Sequence, residues 1–218
     1  ATDAGGIVRY QSSNFTVTNC INNSRINGSF CGGIIGAKCV GIVENCHNTG
    51  IIINSFSGGI AGGHFGNHNS GTCYIQNCYN TASLSATYAS GIAGRYYGRN
   101  NTGTCYIDNC YNTGDINQTY SGGIVSSDCG SSNTASGVVY IRKCYNTGNI
   151  SSDSGGIAGN FFCHINSGTC YIEYCYNEGS ITGTYSGGIA GTRFGSNNLG
   201  TCYIKNCYNS GSFLSNNS

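Results

Sequence analysis

The residues of this chain that could do chemistry are its cysteines and histidines. Among 218 residues there are 15 cysteines and 4 histidines. The frequent cysteine spacing is C-x4-C, as in Cys73/Cys78, and differs from the C-x2-C of common zinc sites. So many cysteines are rare in a reducing compartment. We therefore expect disulfides and an extracellular or cell-surface location.

Catalysis and cofactor binding have little support in the sequence. His64 and His68 are four residues apart, but they lie in a predicted loop, where this spacing does not place them on one face. The eight acidic residues are scattered, which disfavours a paired-carboxylate site. Glycine-rich catalytic or phosphate-binding motifs are absent from the sequence. We predict no catalytic residue, no metal, no cofactor and no enzyme activity.

Charge and hydropathy restrict the partners. Charged residues make up 8% of the chain, against about 25% in an average globular domain. The net charge is +1 and no basic stripe occurs, so we expect no nucleic-acid partner. Apolar runs stay well short of the roughly 18 residues that span a bilayer, so we expect no membrane span.

A repeat of about 32 residues organises the chain. One cysteine recurs at steps of 26 to 34 residues, and a glycine-rich word such as SGGIAG (residues 57–62) returns in the same rhythm. With no linker between repeats, residues 1–218 are predicted to form one repeat domain. The repeats are centred on Cys20, Cys46, Cys78, Cys110, Cys144, Cys175 and Cys207.

Each repeat has the pattern of short strands separated by turns. In CYIDN (residues 105–109) polar and apolar residues alternate, which places Cys105 and Ile107 inward. Such a unit cannot bury its apolar side chains alone, but stacked copies can. We predict an all-β chain folded as a β-solenoid (β-helix) of about seven coils with short strands. A β-propeller is the alternative, although its blades usually need 40 or more residues.

Two of the repeated words resemble the GLUG-motif repeats. SGGIAG (residues 57–62) and IDNCYNTG (residues 107–114) are similar to the glycine word and the strand-and-turn word of that family. They recur in the same order over nearly the full chain. The resemblance implies a secreted or surface-exposed repeat protein, and it carries over no catalytic residue.

The cysteines follow a rule that suggests structural disulfides. Repeats that lack the first C-x4-C cysteine, at Gly41 and Val139, carry an earlier one instead, Cys39 and Cys129. Each repeat could therefore close its own bridge. This within-repeat scheme, which we favour, needs a corner inside each C-x4-C, because an extended one spans about 16 Å. Its pairs are Cys20–Cys31, Cys39–Cys46, Cys73–Cys78, Cys105–Cys110, Cys129–Cys144, Cys170–Cys175 and Cys202–Cys207, with Cys163 unpaired.

A second scheme links neighbouring coils and stays open. Its pairs are Cys20–Cys39, Cys46–Cys73, Cys78–Cys105, Cys110–Cys129, Cys144–Cys170 and Cys175–Cys202.

Two further sets of residues are surface candidates. Seven N-x-S/T sequons would permit N-glycosylation, at Asn14, Asn22, Asn27, Asn100, Asn117, Asn149 and Asn216. One tyrosine per repeat would stack as an aromatic ladder, formed by Tyr79, Tyr111, Tyr145, Tyr176 and Tyr208. A second ladder would contain Tyr74, Tyr106, Tyr140, Tyr171 and Tyr203. Such ladders stiffen a solenoid, or alternatively offer an aromatic strip to sugars.

The two ends of the sequence read as parts of one interrupted coil. Residues 211–218 followed by residues 1–7 resemble the interior segment 179–189, and neither end has the polar cap that solenoids need. We therefore expect a self-assembling, head-to-tail fibre subunit, stapled by disulfides, whose main partner is itself. The alternatives are an adhesin or carbohydrate-binding stalk with glycan partners, and a fragment of a longer array.

Overall fold

The computed structural model describes residues 2–151 and 153–214. These residues form no helix, and their strands all pair in parallel with the equivalent strands of neighbouring repeats. The chain therefore winds as a β-solenoid, which confirms the predicted fold class.

The first sheet contains the strand that begins each C-x4-C pair. It has seven strands in the order of the repeats, so each inner strand lies between the strands of the repeats before and after it. Their alternating burial follows from the alternating sequence, with Cys105 and Ile107 buried and Tyr106 half-exposed. The strands are β1 (Ser13–Thr18), β3 (Val40–Glu44), β5 (Thr72–Gln76), β7 (Thr104–Asp108), β9 (Val138–Arg142), β11 (Thr169–Glu173) and β14 (Thr201–Lys205).

A second seven-stranded sheet follows after a tight corner. Its strands are two residues long, β2 (Ile21–Asn22), β4 (His47–Asn48), β6 (Tyr79–Asn80), β8 (Tyr111–Asn112), β10 (Tyr145–Asn146), β12 (Tyr176–Asn177) and β15 (Tyr208–Asn209). A third, two-stranded sheet contains β13 (Ile181–Thr182) and β16 (Phe213–Leu214).

The rest of each coil is held by single bridges between equivalent residues. One column of bridges contains Ile52, Leu84 and Ile116, and another runs along the glycine word, for example from Gly122 to Gly155. Ile116 and Ile107 are fully buried, as the repeat pattern predicts. Stacking thus places equivalent residues of neighbouring coils on top of each other, which allows such small units to share one core.

The corner inside the C-x4-C word is a single left-handed residue. Asn77 and Asn109 both have φ of 52°. Asparagine tolerates this region better than most residues. Lys143 and Tyr174 adopt the same conformation in other coils, at 53° and 55°. The corner that the within-repeat disulfide scheme required is therefore present, although those disulfides are not formed.

The glycine word allows backbones of adjacent coils to approach closely. A Cβ atom on Gly123 would lie 2.1 Å from the carbonyl oxygen of Gly156 and 2.6 Å from Asn146. A contact of that length is too short for any side chain. Glycine is therefore required at this position by the stacking of the coils.

Candidate functional site

The second cysteine of each repeat belongs to a buried column of thiols. The backbone N–H of Cys78 donates to Sγ of Cys110 at 3.4 Å, and Cys46 donates in the same way to Cys78. The Cys78 thiol donates to the carbonyl of Gln76 at 3.1 Å. These contacts use the sulfur as both donor and acceptor within a packed interior.

Burial also controls the reactivity of this column. It raises the pKa of the Cys110 and Cys144 thiols well above the ordinary value, because a thiolate would be desolvated there. A thiol that stays protonated is a poor nucleophile and a poor metal ligand. Cys110 and Cys144 are therefore suited to packing and not to thiolate chemistry.

The first cysteine of the pair forms a second column on the strands of the first sheet. Cys73 and Cys105 are in register on β5 and β7, and their sulfurs are 3.0 Å apart. Burial raises the pKa of Cys170, two coils further on, and the nearby Cys105 adds to this effect. Both columns face the same core.

The structure corrects the predicted disulfide pairing. Cys163 is not unpaired, because it forms a disulfide with Cys202 of the next coil, which also excludes the predicted pair Cys202–Cys207. The reason lies in the neighbouring columns. Cys163 takes the place that Gly130 has in the preceding coil, and a Cβ on Gly130 would lie 2.6 Å from Sγ of Cys170. A cysteine at this position is therefore directed at the strand cysteine of the following coil.

The other predicted pairs do not form, within repeats or between coils. Cys163–Cys202 is the one disulfide in residues 2–151 and 153–214. Within a repeat, Cys73 lies on extended β5 and Cys78 follows the corner at Asn77, so four residue steps, about 13 Å, separate the first cysteine from the corner. Between coils, Cys73 stacks on Cys105 and Cys78 on Cys110, and not on the partners proposed from the sequence.

A buried asparagine ladder accompanies the thiol column, and the sequence reasoning missed it. Asn48 donates from Nδ2 to Oδ1 of Asn80 at 2.8 Å, and Asn80 donates to Asn112 at 2.8 Å. Each amide also donates to the carbonyl two residues later. The signal that could have identified the ladder is that every C-Y-N or equivalent word carries this asparagine. The ladder consists of Asn22, Asn48, Asn80, Asn112, Asn146, Asn177 and Asn209.

This ladder removes one of the predicted glycosylation sites. Asn22 is 5% exposed, and its Nδ2 donates to Asn48 and to the carbonyl of Ser24. A glycan on that nitrogen is incompatible with these contacts, so Asn22 was a wrong candidate for the folded chain. Asn216 lies outside the described residues, and Asn100 is half-buried. The exposed sequon asparagines are Asn14, Asn27, Asn117 and Asn149.

The tyrosines of the two candidate ladders stack face to face. In the first, ring centroids from Tyr79 to Tyr208 are 4.8–5.0 Å apart, and His47 continues the stack on Tyr79 at 4.6 Å. In the second, from Tyr74 to Tyr203, they are 4.7–5.0 Å apart. Interior rings cover each other's faces, so they have none left for a sugar. The geometry favours stiffening over sugar binding.

The histidines considered for metal binding do not converge. His64 stacks between Phe30 and Tyr96, with centroid distances of 5.6 and 4.6 Å, whereas His68 is exposed. Burial, with help from nearby cations such as Lys38, lowers the pKa of His64 to about 4. The part of the chain that the structure describes contains no cluster of three or more His, Cys, Asp or Glu side chains arranged for a metal ion.

Comparison with protein-family models, with curated proteins and with solved structures finds no match to this chain. Within residues 2–151 and 153–214, the structure has no helix that could cross a bilayer. The candidate sites therefore rest on the geometry of the chain itself.

A third column of rings was not anticipated from the sequence. Phe30 stacks on Phe56 at 4.5 Å, Phe56 on Tyr88 at 5.1 Å, and Tyr88 on Tyr120 at 5.0 Å. All four have φ between 56° and 67°, an uncommon conformation for aromatic residues. Their regular place just before or near the glycine word was the signal that could have identified them.

Proposed function

We propose that this chain is a structural, non-enzymatic subunit of an extracellular fibre, in which copies stack head to tail and the Cys163–Cys202 disulfide joins two neighbouring coils. The observation that carries the proposal is the geometry of the outer strands. In the described part of the chain, β1 and β14 each have a neighbouring strand on one side only. An unpaired parallel edge is a template for another strand.

The side chains at this edge support the same conclusion. Ile204 on β14 belongs to the inward-facing column of Ile172 and Ile141, yet it is 43% exposed. The other end of this column is Val17 on β1, which pairs with Val43. Stacking β1 of one copy on β14 of another would place Val17 over Ile204 and cover the exposed apolar surface of Ile204.

The asparagine ladder has a polarity that suits such stacking. Each Nδ2 donates to the asparagine of the next coil, up to Asn177, which donates to Asn209 at 2.7 Å. Asn209 donates to the carbonyl of Gly211. Its second amide hydrogen would be directed at Oδ1 of Asn22 in the following copy. The contact is heterologous and does not close, as a fibre requires.

The extracellular location is supported by the one disulfide among the described residues. The Cys163–Cys202 bridge joins two coils, and such bridges persist in oxidising compartments. The similarity of SGGIAG and IDNCYNTG to GLUG-motif repeats favours the same location.

Electron microscopy of the purified chain tests the proposal. We expect rods longer than one chain, with an axial repeat of about 34 Å from seven coils at about 4.8 Å each. Ile204→Lys should shorten them by placing a charge in the contact. Ile165→Lys is the matched control, because Ile165 is 56% exposed but pairs through its backbone with the following coil. Monomers alone over a wide concentration range, or equal rod lengths for both variants, would contradict the proposal.

A further inference from the structure

The third column of rings is interrupted in one coil. We call it the ring column, and it contains Phe30, Phe56, Tyr88, Tyr120, Asp153 and Tyr185. Gly122 bridges to Gly155 and Gly155 to Gly187, so the residues two positions earlier, Tyr120, Asp153 and Tyr185, are stacked equivalents. Asp153 has φ of 53° and Tyr185 of 57°, like the aromatic members. The backbone therefore continues regularly while one ring is missing.

The missing ring leaves a space of defined height. Neighbouring rings of the column are 4.5–5.1 Å apart. Two steps of 5.0 Å place Tyr120 and Tyr185 about 10 Å apart, and one flat ring between them would have ordinary stacking distances to both. Tyr185 is 75% exposed and makes no ring contact among the described residues. Both tyrosines line one groove of about 490 Å³.

The groove also carries two opposite charges. Asp153 and Arg193 line it together with Phe161, and the Arg193 guanidinium lies 5.1 Å from the Phe161 ring centre. Within the described residues neither Asp153 nor Arg193 has an ion-pair partner. The lining therefore offers an acceptor for a cation and a donor for an anion.

In an earlier coil, side chains of the chain itself occupy the corresponding region. There, Arg95 lies over Tyr88 and Tyr96, at 4.1 and 4.4 Å from the ring centres, and its Nε pairs with Asp128 at 2.8 Å. The rings and both charges are thus satisfied internally. At Asp153 the ring is absent and the charges are left for another molecule.

We propose that the gap at Asp153 is a binding site for a free aromatic α-amino acid. Its ring would lie between Tyr120 and Tyr185, where other coils place their own ring. Its carboxylate would face Arg193 and its ammonium group would face Asp153. This site is independent of the fibre proposed above, since it lies on the flank of the coils and not at their edge.

Calorimetric titration and ligand-observed NMR with L-phenylalanine test this site on the whole chain. We expect saturable binding. Phenylacetate and phenethylamine, which each lack one charge, should bind about tenfold more weakly, the typical loss of one charge-assisted hydrogen bond. L-leucine, which lacks the ring, and methyl glucoside should not bind.

Two variants locate the site. Asp153→Tyr completes the ring column and should abolish binding. Tyr185→Asn removes one wall and should weaken binding at least tenfold, while Tyr174→Asn should leave it unchanged. Tyr174 is the matched control, because it is 59% exposed with φ of 55° and other coils carry asparagine there. Circular dichroism checks that each variant is folded.

Three results would overturn the proposal. The first is no saturable binding of L-phenylalanine. The second is unchanged binding in both Asp153→Tyr and Tyr185→Asn. The third is that N-acetylphenylalaninamide, which has neither charge, binds as tightly as L-phenylalanine. This would show that the two charges do not contribute to binding.

Discussion

The side-chain amide of Asn80 donates from Nδ2 to Oδ1 of Asn112 over 2.8 Å, and neither residue is exposed to solvent. This contact joins two coils through groups that water cannot reach. A buried amide without a partner costs more free energy than a satisfied one contributes. The ladder therefore makes the stability of each coil depend on its neighbours.

Replacing one member of the ladder should destabilise the solenoid. Asn112→Leu leaves both Oδ1 of Asn146 and one donor hydrogen of Asn80 without the partner that Asn112 provides. We expect the free energy of unfolding to fall by about 1–3 kcal/mol in urea denaturation. Asn109→Lys is the control, because Asn109 is exposed and Lys143 has the same conformation in the next coil. Equal losses in both variants would contradict a special role of the buried ladder.

The close contact of the glycine word should make it intolerant of any side chain. Gly123→Ala would place its Cβ 2.1 Å from the carbonyl oxygen of Gly156, so the coils must separate. We expect a loss of about 1–3 kcal/mol or more, seen as a lower thermal midpoint. Gly71→Ala is the matched control, since a Cβ there meets nothing within 4 Å. If both variants have the same thermal midpoint, the close contact between the backbones of neighbouring coils does not contribute to stability.

His64 should make stability depend on pH. Its pKa is about 4 in the folded chain, mainly because of burial, against roughly 6.5 when unfolded. Between these values the unfolded state binds a proton that the folded state does not. Stability should therefore fall as pH falls from about 6.5 to 4 and then level off. The expected loss is on the order of 1–2 kcal/mol, since the side chain is only partly buried.

The variant His64→Phe isolates this effect. It keeps a ring between Phe30 and Tyr96, and Phe161 shows that the conformation suits phenylalanine. Urea denaturation from pH 7 to 4 should show a smaller pH-dependent loss in the variant than in the natural chain. Parallel curves for the two proteins would mean that His64 titrates normally.

Thiol counting under denaturing, non-reducing conditions should separate the disulfide schemes. The structure has thirteen cysteines as thiols and two in the Cys163–Cys202 bridge. Seven within-repeat bridges would leave one thiol of fifteen, and the six between-coil bridges named above would leave three. In the native state we expect slow alkylation of Cys110 and Cys144, because burial keeps these thiols protonated.

The variant Cys202→Ser provides the control for this count. It should have fourteen thiols and no bridge, since fifteen cysteines less one remain. A thiol count in the natural chain well below thirteen would show that further cysteines oxidise. The first pair to examine would then be Cys73 and Cys105, whose sulfurs are 3.0 Å apart.

The repeat could be predicted from the sequence because its residue types have simple geometric consequences. Cys105 and Ile107 alternate with polar residues, and this alternation determines which side of the strand is buried. The corner at Asn77 was expected only for the within-repeat disulfides, and it is present without them. Parallel stacking of equal units followed from their size, since one unit cannot bury its own apolar residues.

The partners of individual side chains could not be derived in this way. The repeat period of the sequence shows which residues are equivalent. It does not show which columns of stacked side chains lie next to each other. The contact of Cys163 with Cys202 depends on the glycine column lying against the strand cysteines, which is a property of the coil's cross-section. The same is true of the buried contact between the side chains of Asn80 and Asn112.

The sequence alone therefore determined the class of fold, the unit that repeats and the side of each strand that faces the core, because these depend on local alternation and on burial. Only the tertiary structure decided which sulfurs meet, which amides are buried and where the ring column is interrupted. Those contacts join residues about 30 to 40 positions apart, and their distances are set by how one coil rests on the next.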